Sequence, residues 1–102
     1  MEQPIDFKEF EISLKAELPP FNWPETLQAL WWDAKGDWEK AHHLVDNMNT
    51  PVAKWIHAYL HRKEGDLWNA DYWYKSAGRS RRSQALEEEF AELFNIARLE
   101  ET

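Results

Sequence analysis

Trp55-Ile56-His57-Ala58-Tyr59-Leu60-His61-Arg62-Lys63-Glu64-Gly65-Asp66, continued by Leu67 to Gly78, is the stretch that decides the fold. Val52, Trp55, Ile56, Tyr59 and Leu60 recur three and four residues apart, which lays them along one stripe of a helix over about 51–64. Thr50-Pro51 restarts the chain, and the proline suits a first helical turn. Gly65 can take the left-handed backbone that ends a helix, and Asp66 offers a carboxylate to cap the next one. Leu67, Ala70, Trp73, Tyr74 and Ala77 then mark a second helix that stops at Gly78. Two helices joined by a Gly-Asp pair form a tight hairpin, and Ala70, four residues after the aspartate, lets the two backbones approach closely.

The same arrangement occurs 29 residues earlier (65 minus 36) as Gly36-Asp37 with Ala41 four residues beyond the aspartate. The helix before it, about 24–35, starts at Pro24 and carries Leu27, Leu30, Trp31 and Ala34. The helix after it carries Trp38, Ala41, Leu44 and Val45 and runs out in the polar segment 46–49. Outside the two hairpins, Asp6 with Glu9 has capping-box spacing, and Ile5 with Phe10 stands where a hydrophobic staple would close it. This predicts a first helix over about 6–18 with Phe7, Phe10, Leu14 and Leu18 on its stripe, stopped by Pro19-Pro20. Ser83 is positioned to cap a last helix, about 83–99, with Leu86, Phe90, Leu93, Phe94 and Ala97 inward. No segment reads convincingly as a strand. The expectation is one all-α domain over 1–102 with five or six helices, built as hairpins at about 22–48 and 51–78 between capping helices.

The pattern Ala58, Gly65, Asp66, Ala70, Tyr74, Ala77, with Ala29, Trp32, Gly36, Asp37 and Ala41 in the earlier unit, resembles two degenerate tetratricopeptide repeats over roughly 22–78. The period is shorter than 34, Met48 stands where alanine is usual, and His61 stands where an aromatic is usual. Two hairpins are too few for an extended solenoid, so the flanking helices are expected to close one globular core. The resemblance implies a protein or peptide interaction module rather than an enzyme. The wording Trp-Ile-His-Ala-Tyr-Leu-His-Arg-Lys-Glu-Gly-Asp (55–66) with Tyr-Trp-Tyr-Lys-Ser-Ala-Gly-Arg (72–79) is also similar to a small, functionally uncharacterised, mostly bacterial family, and that likeness implies no activity.

Composition removes several classes of function. The 102 residues suit a single core. There is no cysteine, which excludes disulfide scaffolds, thiolate metal sites, Fe–S clusters and cysteine nucleophiles. No apolar run reaches a membrane span, and Met-Glu-Gln-Pro lacks the layout of a signal peptide, so a cytoplasmic location is expected. A formal net charge of −7 opposes bulk nucleic-acid binding. The charge is uneven: residues 1–53 hold ten acids and four bases, 54–82 three and seven, and 83–102 six and one. Arg79, Arg81 and Arg82 read as loop cations that pair with the Glu87-Glu88-Glu89 run, or as a local anion site. Phosphate loops, dinucleotide fingerprints and Ser-His-Asp arrangements are missing.

Two sets of residues could carry function. In the repeat register, Trp55, Tyr59, Arg62 and Lys63 would face a ligand, and aromatic anchors beside cations suit an acidic or C-terminal peptide. That surface is the expected binding site, with no nucleic-acid or membrane partner. The alternative is a metal-binding protein or small enzyme centred on His57, His61 and Glu64, which share one helix face. A zinc site needs three or four ligands, and the glutamate of a zincin is replaced by Ala58. Further ligands could come only from His42, His43 or Asp71 on neighbouring helices. With one helix offering ligands at fixed spacing, the expectation is no cofactor and no tightly held metal. Of the seven tryptophans, most are expected in the core.

Overall fold

The computed structural model describes residues 6–100, and among them the chain forms six helices and no strand. They are α1 (Phe7–Ser13), α2 (Glu25–Ala34), α3 (Trp38–Asp46), α4 (Pro51–Glu64), α5 (Leu67–Ser76) and α6 (Leu86–Ala97). The most extensive packing is within the hairpins α2/α3 and α4/α5. Both turns close identically. Gly36 (φ 90°) and Gly65 (φ 92°) take the left-handed conformation, which a side chain would strain. The Asp37 amide bonds back to the Trp32 carbonyl and the Asp66 amide to that of His61, both at 2.9 Å. Each aspartate then caps the following helix by accepting from the amide three residues on, Lys40 at 3.0 Å and Asn69 at 3.3 Å. Ala41 and Ala70 are fully buried.

α4 is the central helix and packs against α2, α3, α5 and α6. Its burial is therefore not a stripe: every side chain from Trp55 to His61 is buried. α6 lies on α2 and α4 with Leu93, Phe94 and Ala97 inward. α1 closes the end of the core through Phe10, which is fully buried and 5.2 Å from the Phe94 ring and 6.1 Å from that of Trp23. A Cα radius of gyration of 12.7 Å is that of a globular domain of this length, not of an open solenoid.

The ends of the outer helices differ from expectation. α1 stops at Ser13 rather than 18, because Lys35 reaches across from the end of α2 and donates to the Leu14 and Ala16 carbonyls, both at 2.9 Å. The Leu14, Lys15 and Ala16 amides donate in turns to the Glu11, Ile12 and Ser13 carbonyls, and Leu18 is exposed. The Asp6 carboxylate accepts from the Glu9 amide at 3.0 Å as expected, while Ile5 lies outside the described residues. α6 starts at Leu86, three residues after the expected Ser83 cap. Its N-cap is Ala85, whose amide donates to the Glu88 carboxylate at 3.2 Å, half of a capping box. Trp23, Trp31 and Trp55 are core side chains, Trp32, Trp38 and Trp73 are half-buried, and Trp68 is exposed.

Candidate functional site

Three imidazoles meet where α3 crosses α4. His57 and His61 are one turn apart on α4, and the Asp37 cap sets the register of α3 so that His42 points between them. His42 Nε2 lies 2.9 Å from His57 Nε2. Ring centroids are 4.5 Å apart for His42–His57, 5.0 Å for His57–His61 and 5.2 Å for His42–His61. One nitrogen from each ring lies within 4.8 Å of the other two.

Tryptophans fix two of the rings. Trp38 stacks on His42 with centroids 4.8 Å apart, and Trp73 stacks on His57 at 4.0 Å. Trp38 is itself pinned, because its indole N–H donates to the Leu60 carbonyl at 2.8 Å. The third ring is oriented by Glu64, whose carboxylate is 2.7 Å from His61 Nδ1. A carboxylate behind a histidine is the arrangement that orients metal-bound imidazoles.

Burial decides the protonation of the pair. It pushes His57 down to about 4, with His42 and His61 adding to the shift and Asp46 opposing it. Burial also lowers His42, again against Asp46. Both are neutral at pH 7, so the 2.9 Å contact is an N–H of one ring donating to the lone pair of the other. Neutral imidazoles are the form that binds metal. A tetrahedral ion with nitrogens at about 2.0–2.1 Å sets ligand separations of roughly 3.3 Å, longer than the 2.9 Å His42–His57 contact and inside the 4.8 Å within which all three nitrogens lie. An ion would take the place of the shared hydrogen, and that ring would carry its N–H on Nδ1 instead.

A cleft of about 420 Å³ opens beside the cluster, lined by Asp33, Gly36, Trp38, Lys63 and Glu64. His61, Glu64 and Asp66 form a second close triplet. Its Asp66 is engaged as the α5 cap by the Asn69 amide and by Asn69 Nδ2 at 2.7 Å, so it is a helix end. His43 is exposed, and Asp71 pairs with Arg81 at 2.7 Å, so neither joins the cluster.

The residues expected to face a peptide do not form an open surface. Trp55 and Tyr59 are each 3% exposed. α6 lies over them: Trp55 Nε1 donates to Glu89 at 2.9 Å, and the Tyr59 ring sits 6.1 Å from that of Phe90. Arg62 is paired with Glu89 at 2.6 Å and also donates to the Gln84 carbonyl, while Lys63 pairs with Asp33 at 3.0 Å. Stripe reasoning on a single helix could not include the helix that covers it.

The loop cations likewise take partners other than those expected. Arg81 holds Asp71, Arg82 holds Glu92, and Arg79 lies over the Trp55 ring at 3.5 Å. Two buried acids, Glu89 and Asp33, were not singled out from the sequence. Glu89 had a signal: it stands three residues after Leu86 and four before Leu93, on the apolar stripe. No family model, curated protein or solved structure matches this chain, so its function is argued from this geometry.

Proposed function

We propose that this protein is a metal-binding helical-hairpin protein of tetratricopeptide-like build, holding one divalent first-row transition ion on His42, His57 and His61. The observation that carries the reading is the convergence of three imidazoles from two helices, with one nitrogen of each within 4.8 Å of the others. All-imidazole ligation suits zinc, copper or nickel rather than magnesium or calcium. The Glu64 carboxylate behind His61 and the tryptophans on His42 and His57 support it, because ligands held in place lose little freedom on binding. This reading replaces the expectation of no metal, which rested on α4 alone supplying ligands.

The test is to titrate the metal-free protein with Co²⁺ and Zn²⁺, following visible absorption and heat. One ion per chain is expected, with visible bands of Co²⁺ in a tetrahedral or five-coordinate site, and binding lost in the His42→Ala variant. Absence of stoichiometric binding, or binding unchanged in His42→Ala, would overturn it. His42 is the least buried of the three, so its truncation leaves the core intact.

A second reading, a protein or peptide interaction module, is favoured by one observation on α5. Trp68 is 77% exposed and Tyr72 57%, with their rings stacked 6.4 Å apart. The contact face would then be α5 rather than α4, and Trp68→Ala would weaken partner binding while Tyr59→Phe would not.

A further inference from the structure

The connection between α5 and α6, residues 77–85, carries Arg79, Arg81 and Arg82 on a chain whose formal net charge is −7. Its direction is fixed where it leaves α5: Gly78 takes the left-handed backbone (φ 78°), and the Arg79 amide donates to the Tyr74 carbonyl at 2.8 Å. This sets Arg79 against α4, with its guanidinium carbon 3.5 Å from the centre of the Trp55 ring. Trp55 is itself held, because its indole N–H donates to Glu89. A guanidinium stacked on a fixed ring has little freedom left to lose, and its N–H donors stay at the edge of its plane, where an oxyanion can take two of them at once.

A pocket of about 490 Å³ opens beside this arginine, lined by Asp71, Tyr74, Lys75, Arg79, Ser80 and Arg81. Its charges do not cancel. Both oxygens of Asp71 accept from Arg81, at 2.7 Å and 3.2 Å. The Tyr74 hydroxyl donates to Glu89, whose carboxylate also accepts from Arg62 and Trp55 and makes no ion pair with Arg79. Among the described residues, neither Lys75 nor Arg79 forms an ion pair or a side-chain hydrogen bond. The pocket therefore offers two uncommitted cations, both exposed, beside the exposed Ser80 hydroxyl, while its one carboxylate is already satisfied.

We propose that this pocket binds the doubly charged oxyanion of phosphate, free or as a small monoester, with the Arg79 fork and the Lys75 ammonium on its oxygens. Two positive charges without partners match two negative ones, and a planar guanidinium fits two oxygens of one phosphate. The volume is that of a small-molecule site, which leaves room for the body of an ester. The site does not use the histidines.

The experiment is an amide-resolved NMR titration of the full chain with inorganic phosphate, glycerol 3-phosphate and acetate. It is run at about pH 8, where a phosphate monoester is a dianion, with ionic strength held constant because exposed cations are screened by salt. Saturable shifts at residues 75–81 are expected with both phosphates, at least about tenfold tighter than with acetate. Tighter binding of glycerol 3-phosphate than of inorganic phosphate would identify an ester as the ligand, and equal binding would identify free phosphate. Arg79→Gln and Lys75→Gln should each weaken phosphate by about tenfold, whereas Lys8→Gln, which removes an exposed charge on α1, should not. No saturable shift with either phosphate up to about 10 mM would overturn the proposal. So would acetate binding as tightly as phosphate, or equal weakening in all three variants, which would show attraction by overall charge rather than a site. The comparison among probes needs no variant, so it stands even if Arg79→Gln does not fold.

Discussion

Glu89 belongs to an acidic run that reads as solvated helix surface, yet its carboxylate is buried and accepts from Tyr74 Oη at 2.6 Å and Trp55 Nε1 at 2.9 Å while pairing with Arg62. Burial, then this hydrogen bond, holds the Tyr74 proton on well above the usual phenol range. Replacing Glu89 with leucine leaves the Arg62 charge largely buried and unpaired, which costs about 3–5 kcal/mol. Glu89→Leu should lower the urea midpoint accordingly, and an unchanged midpoint would contradict the network. A second residue-scale prediction concerns His57, whose folded pKa is about 4 against 6.5 for an unperturbed histidine. Above pH 6.5 neither state carries the proton; between 6.5 and 4 the unfolded chain takes it up and the folded one does not. Stability should thus fall as pH drops through this window, by about 3 kcal/mol from His57 alone. His57→Gln should flatten that part of the curve, as read by urea unfolding at stepped pH.

At the scale of elements, the two hairpins repeat one solution: a left-handed glycine, a capping aspartate, and a buried alanine four residues beyond it. Ala41 and Ala70 are both fully buried. Leucine at either position should overpack the contact and cost roughly 1–3 kcal/mol. Thermal melts of Ala41→Leu and Ala70→Leu matching the parent would show that the alanines are not at close crossings. In α1 the buried side chain is Phe10. Phe10→Ala should cost about 3–5 kcal/mol, measured by denaturant unfolding, because the ring is fully buried against other aromatics.

For the whole molecule, an ion on His42, His57 and His61 would tie α3 to α4 and so link the two hairpins. Free zinc at about one hundred times its dissociation constant should then stabilise the fold by about 2.7 kcal/mol. The gain should disappear in His42→Ala, with calorimetry as the measurement.

The helices and their turns were legible in the sequence because they depend on near neighbours. Gly36 and Gly65 and the capping aspartates act within a few residues and appear in the fold where expected, whereas Leu18, Ala34 and Leu67 of the expected apolar stripes are exposed. Only the tertiary structure decided which faces stayed open. α6 covers Trp55 and Tyr59, because a helix packed by four others has no free side. Lys35 shortens α1 from 19 and 21 residues away, as no local pattern announces. The histidines divide along the same line: the one-turn spacing of His57 and His61 is written in the chain. The arrival of His42 depends on the angle at which α3 crosses α4, which side-chain packing between helices determines.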